Sequence, residues 1–178
     1  MRTFVALEIP APHKAALASL LESLRPRIPG LRWSAPETIH LTLRFLGDST
    51  AETLAALTPR LRAAATACPA GEVRLSGLGV FPERGAPRIL WLGAPLSEAM
   101  LGLQRDVEAA AVASGFAPED KPFRSHLTLG RWRERVRRPE LPVVDLPPVF
   151  IESLVLYRSE LRSPHALHTP LAAFTLAG

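Results

Sequence analysis

The sequence predicts an α+β protein built as two similar lobes around a central cleft. Three observations carry that expectation. Runs of strand length, alternating apolar and polar, are interspersed with amphipathic helical stretches. No strand leads into a glycine-rich phosphate loop, which favours antiparallel pairing over a nucleotide-binding parallel sheet. The tetrapeptide HLTL occurs twice, at 40–43 and 126–129, close to half the chain length apart. Related by a pseudo-two-fold axis, each lobe would give one copy to a shared cleft. The 178 residues are read as a single domain of two intertwined lobes, long enough to bury its own core.

The elements follow in order. Residues 2–8, RTFVALE, are β-branched and aromatic enough for a strand, closed by Pro10 and Pro12 in a turn that also holds His13. From Ala11 to about Leu24, Leu17, Leu20, Leu21 and Leu24 recur at helical spacing, and Pro26, Pro29 and Gly30 end that helix. Leu31 to Trp33 start a short strand. In IHLTLRFL, 39–46, alternation puts Leu41, Leu43 and Phe45 on one face and His40, Thr42 and Arg44 on the other. Ser49 or Thr50 caps a helix running to Ala67, which Pro59 is expected to kink or divide.

The second half opens differently. Residues 72–80 and 88–93 read as strands joined by a Pro/Gly/Arg loop, and Ser97 caps a helix ended by Gly115. The loop APEDKPFRS leads into HLTLGRW, from His126, which alternates as the first motif does. Pro139, Pro142, Pro147 and Pro148 punctuate a linker before two last strands, around 150–157 and 167–176. His165 and His168 are placed in the loop between those strands, and neither is followed by threonine two residues on.

Composition narrows the setting. Hydrophobic residues make up 47% and charged residues 21%, a mix unlike that of disordered chains. Cys68, alone of its kind, has no internal disulfide partner and no histidine–acid context for a nucleophile. It reads as a small buried residue in a reducing compartment. The N-terminal apolar run is broken by Glu8 and Pro10, so no signal peptide or membrane span is read there and a cytoplasmic location is expected. The net charge of +4 is carried almost wholly by arginine, since Lys14 and Lys121 are the only lysines. Guanidinium groups match phosphate oxygens, which suits RNA as a partner, although a GC-rich genome writes the same arginines on ordinary surfaces.

The chemistry is carried by the two motifs. Residues i and i+2 of a strand share a face, so each motif sends its histidine and threonine, His40 with Thr42 and His126 with Thr128, to one side and its leucines to the other. Two imidazoles flanking one phosphorus atom divide phosphodiester hydrolysis, one taking a proton from water and the other giving one to the leaving oxygen. With an ordinary pKa of about 6.5, histidine serves either role near neutral pH. The threonine hydroxyls can donate to non-bridging phosphate oxygens. Acidic residues lack the paired spacing of a two-metal phosphatase, and neither metal nor cofactor is expected.

Each motif leads into arginine. Arg44 shares the His40 face by parity, whereas Arg131 is out of parity with His126 unless a bulge at Gly130 re-aims it. Either guanidinium could bind a phosphate, with a solvated rim position as the alternative for each. Lys121, Phe123 and Arg124 could form a lip that holds a terminal base by stacking and charge, core packing being the other reading of Phe123. Trp33, Trp91 and Trp132 sit in apolar strands and are assigned to the core.

With HLTLRFLG at 40–47 and SHLTLGR at 125–131, the chain resembles the two-histidine (2H) phosphoesterases, and within them the bacterial and archaeal RNA 2′,3′-cyclic phosphodiesterases first named 2′-5′ RNA ligases. RTFVALEIP, GVFPERGAPRILWLG at 79–93 and the C-terminal LVLYRSELRSPHALHTPLAAFTL extend the resemblance over nearly the whole chain. It implies a bilobal fold with a central groove, His40 as proton donor, His126 as proton acceptor, Arg131 of the Gly-Arg after the second motif as the favoured ligand of the scissile phosphate or its neighbour, and an RNA 2′-phosphomonoester product. The implied partner is RNA with 2′,3′-cyclic phosphate ends, tRNA fragments among them, handled by a monomer away from membranes. Two other readings stay open: a phosphodiesterase for small cyclic phosphates such as nucleotide or ADP-ribose derivatives, and a non-catalytic RNA-binding module.

Overall fold

The computed structural model describes all residues from Met1 to Gly178. Strand β1 (Arg2–Leu7) leads into helix α1 (Ala11–Leu24), strand β2 (Leu31–Trp33), a single 3₁₀ turn (Pro36–Thr38), strand β3 (Leu41–Asp48) and helix α2 (Ala51–Ala67). Strands β4 (Gly71–Ser76), β5 (Leu78–Phe81) and β6 (Ile89–Gly93), helix α3 (Glu98–Ala113) and strands β7 (His126–Trp132), β8 (Asp145–Ile151), β9 (Ser153–Glu160) and β10 (Leu167–Thr175) complete the chain. All strand pairings are antiparallel, in one sheet of order β10-β9-β1-β3, a second of order β2-β7-β6-β5, and the ribbon β4-β8. The α+β class predicted from patterning is the observed one, and each HLTL motif lies on a different four-stranded sheet.

Tertiary packing decides the departures from local expectation. Helix α2 runs unbroken through Pro59, because Leu57, Leu61, Ala64 and Ala65 bury one face across the proline and that burial outweighs the lost hydrogen bond. Its N-terminus is closed by Thr50, whose hydroxyl accepts from the Thr53 amide while the Thr53 hydroxyl accepts from the Thr50 amide. The run 72–80 is two strands, since Gly77 adopts a left-handed φ of 78° between β4 and β5. The run around 150–157 also divides, at Glu152, and Pro147 and Pro148 lie inside β8 rather than in a linker. A two-stranded ribbon leaves β8 an unpaired edge where missing N–H groups cost nothing. His13 is in the first turn of α1, and His168 is in β10 rather than the preceding loop.

One apolar core joins both sheets. Val5 and Leu7 of β1, Leu41 and Leu43 of β3, Leu127 and Leu129 of β7 and the inner faces of the helices belong to the same buried cluster. Cys68, Trp33 and Trp132 are buried within it. The opposite face of β1 carries Phe4 and Ala6, which with Val155 and Tyr157 make a second, small cluster. That cluster is the floor on which the cleft is built. No helix is long and apolar enough to cross a membrane.

Candidate active site

His40, Thr42, His126 and Thr128 all line one cleft of about 1410 Å³ between the two four-stranded sheets. Sequence alternation explains the first half of each motif: Leu41 and Leu127 are fully buried while the histidine and threonine on either side face the cleft. Both strands then break register at the same place. In β3, Thr42 pairs with Ala6 and Arg44 with Val5, leaving Leu43 as an extra residue; in β7, Thr128 pairs with Trp91 and Gly130 with Leu90, leaving Leu129 as one. A bulge reverses the parity beyond it.

The reversal corrects the placement of three side chains. Phe45, expected among the core leucines, pairs with Phe4 on the cleft face, 6.0 Å between ring centroids, and is 62% exposed. Arg44, expected beside His40, turns to the other face of β3, where it is buried and ion-paired with Glu108 of α3 and Glu119 (3.3 Å to the latter), although all three side chains still border the same cleft. It also donates to the carbonyls of Phe45 and Ala117. Its guanidinium clamps β3 to the segment after α3, and those donors are taken. Arg131, five residues past His126 as Phe45 is past His40, reaches the cleft through the bulge at Leu129, one residue before the glycine expected to make it.

The two histidines are held alike. The Nδ1 of His40 is 3.0 Å from the carbonyl of Thr38, at the end of the 3₁₀ turn, and the Nδ1 of His126 is 2.6 Å from the carbonyl of Arg124. A carbonyl only accepts, so in each ring the proton is on Nδ1 and Nε2 is left for a ligand. Burial pushes the pKa of both down. For His40, burial is joined by the nearby charges of Lys14 and His168, which outweigh the Thr38 carbonyl and bring it to about 3. For His126, burial leads, the Arg124 carbonyl opposes it, and the charges of Arg124 and Arg131 add to it.

Aromatic rings surround both imidazoles. His40 lies 4.5 Å from the Tyr157 ring and 5.9 Å from Phe4, and Tyr157 is itself stacked on Phe4; burial raises the Tyr157 hydroxyl to about 12. His126 meets the edge of Phe81 at 5.0 Å, and the Arg124 guanidinium covers that ring at the same distance. Lys121, Phe123 and Arg124 do line the cleft as a group, though Arg124 is ion-paired with Glu83 and Phe123 also packs on the core. Trp91 stays out of the cleft, lying over Gly79, where any Cβ would strike its ring.

Cleft residues that the sequence did not single out include Arg32, Phe81, His165 and His168. His168 lines the cleft with its Nδ1 3.5 Å from the Nδ1 of His40, and burial followed by the Lys14 charge lowers its pKa. No spacing rule links residues 40 and 168; only the β1–β3, β1–β9 and β9–β10 register brings them together. No three His, Cys, Asp or Glu side chains cluster where they could hold a metal ion.

Comparison with known proteins agrees with this geometry. The model of the family described as LigT like Phosphoesterase matches residues 7–91. A Thermus thermophilus protein named RNA 2′,3′-cyclic phosphodiesterase is 34% identical over 100% of this chain and 91% of its own length. The chain belongs to the LigT-like phosphoesterase family. A second relative of that name, from Geobacillus stearothermophilus, is also 34% identical over 98% of this LigT-like phosphoesterase, which spans 57% of the relative's length. The crystal structure of TT0787 from Thermus thermophilus superposes with a TM-score of 0.87 and 32% identity, covering 100% of this chain and 99% of the other. The bilobal 2H fold expected from the doubled motif is thus the fold of its structural neighbours.

Proposed function

We propose that this LigT-like phosphoesterase hydrolyses the 2′,3′-cyclic phosphate at an RNA end to a 2′-phosphomonoester, acting in the cytoplasm without a metal ion. The observation that carries the reading is that His40 and His126 line one cleft with both Nδ1 atoms committed to carbonyls and both Nε2 atoms uncommitted. Two relatives bearing the name RNA 2′,3′-cyclic phosphodiesterase support the choice of substrate.

In the proposed step, His126 Nε2 takes a proton from water as the water oxygen attacks phosphorus. The P–O3′ bond breaks, and His40 delivers its Nε2 proton to O3′, leaving phosphate on O2′. His40 must carry that proton, yet its burial disfavours the charged ring. The phosphate anion supplies the missing partner: a negative charge between the rings stabilises an imidazolium, so substrate binding and His40 protonation are coupled. Thr42, Thr128 and Arg131 donate to the non-bridging oxygens, where charge grows in the transition state. Phe45 offers an exposed ring on which the terminal base can stack, and Lys121, Phe123 and Arg124 line the far lip. With an RNA 5′-hydroxyl in place of water, the same proton transfers produce 2′-5′ ligation.

The test is a defined oligoribonucleotide ending in a 2′,3′-cyclic phosphate, incubated in EDTA and analysed for the position of the product phosphate. A 2′-phosphate is expected, with the rate lost in His40→Ala and His126→Ala. Turnover surviving in both variants, or abolished by EDTA in the wild type, would sink the reading.

A further inference from the structure

Arg32 and Arg131 are directly opposed across the β2–β7 pairing, which sets their side chains side by side on one face of the sheet. Both are exposed and both line the cleft. Neither has a carboxylate partner, a state they share with Arg2 and Arg133, whereas three other cleft arginines are paired: Arg44 with Glu108 and Glu119, Arg124 with Glu83, and Arg162 with Glu160. Opposed like charges destabilise a strand pair, and a guanidinium cannot relieve the repulsion by losing its proton. Such a pair is stable in company with an anion.

One Arg32 nitrogen already donates to the Pro164 carbonyl, which holds the side chain against the segment following β9 and leaves its other donors for a ligand. Arg131 stands on the cleft face with Thr128 and His126, and Arg32 lies one strand further from them. A phosphate engaged by His126 and Arg131 therefore has Arg32 one strand away on the same cleft, where a second phosphate of a longer substrate could meet it.

We infer that Arg32 binds the internucleotide phosphodiester next upstream of the cyclic end of a single-stranded RNA, making the enzyme selective for oligonucleotides over cyclic mononucleotides. The inference rests on the proposed cyclic phosphodiesterase activity. It adds a second phosphate contact outside the reacting centre, and through charge-assisted, forked hydrogen bonds it selects polymeric substrate.

The experiment compares wild type and Arg32→Gln on three substrates sharing one terminal base: a nucleoside 2′,3′-cyclic phosphate, a trinucleotide with the same cyclic end, and that trinucleotide with its last internucleotide linkage a neutral methylphosphonate. The expected result is a KM about tenfold higher for R32Q on the natural trinucleotide. The mononucleotide should change by less than about twofold, and the methylphosphonate should be handled alike by both proteins. An equal loss on mononucleotide and trinucleotide, or no loss on either, would overturn the inference. Fluorescence-polarisation binding of a labelled oligonucleotide with a 2′-phosphate end reads the subsite without turnover. If wild type turns over none of the substrates, the proposed activity has failed; if R32Q binds that oligonucleotide as tightly as wild type, the Arg32 subsite has failed. R32Q should also lower the salt dependence of this binding by about one phosphate contact.

Discussion

Phe45 and Arg131 stand at the same position of their motifs, five residues beyond the histidine, each turned onto the cleft wall by a bulge one residue after the threonine. The two lobes thus present different chemistry from one backbone device, an aromatic face on the His40 side and a planar cation on the His126 side.

The ring of Phe45 is 62% exposed, so Phe45→Ala should leave the urea midpoint unchanged while lowering kcat/KM on a cyclic-phosphate RNA end by about tenfold, the usual cost of losing one base stack. Phe45→Trp should restore it. Unchanged kinetics in F45A would remove the stacking role.

Arg44 and Arg131 should separate stability from activity. Arg44→Met leaves Glu108 facing a buried apolar chain and should destabilise the fold by about 3 kcal/mol in chemical denaturation. Arg131→Ala, being exposed, should shift stability by less than about 0.5 kcal/mol yet cost at least about a hundredfold in rate. The reverse pattern would show that the bulges had been misassigned.

Acid should unfold the protein partly through His40. Burial first, then Lys14 and His168, bring its folded pKa from 6.5 to about 3. Between those values the unfolded chain binds a proton that the folded chain refuses, so stability falls as pH drops through the window and is insensitive to this group above it. His126 and His168 act with the same sign. Urea midpoints measured across that range should decline less steeply in His40→Asn than in wild type; parallel curves would contradict the assignment.

Rate profiles should depend on which state is observed. Limbs in kcat/KM report the free enzyme, where His40 and His126 have depressed pKa values, and limbs in kcat report the complex, where a bound phosphate anion should raise them. The kcat limbs should therefore lie at higher pH. His168→Asn removes one of the charges that lower His40 while leaving burial in place, so its His40-dependent limb in kcat/KM should move modestly upward. Superimposable profiles for kcat and kcat/KM would break the proposed coupling between protonation and binding.

Much of this was legible in the sequence. HLTL repeated in two alternating runs located both histidines and both threonines, since a period of two is all that is needed to put i and i+2 on one face. The bulge in β3 was not, because Leu43 is an apolar residue in an apolar position and nothing local marks it as unpaired, whereas the bulge in β7 was anticipated at Gly130, one residue beyond its place at Leu129. The parity expected beyond Leu43 was therefore wrong, which is why Arg44 and Phe45 exchange faces. Pro59 does not divide α2 for a related reason, local propensity being overridden by the buried face of that helix. His168 depends on the register of three strand pairs, information that no short window contains.

The motifs diverge in their fifth letter, arginine at 44 and glycine at 130, and the architecture accounts for the divergence. Strand β7 is hemmed in by β2, whose Arg32 carbonyl would be 2.7 Å from any Cβ grown on Gly130; strand β3 terminates its sheet and has space for the longest of side chains. The difference in that letter thus follows from crowding: one motif strand lies between two others, and its counterpart has a strand on one side alone.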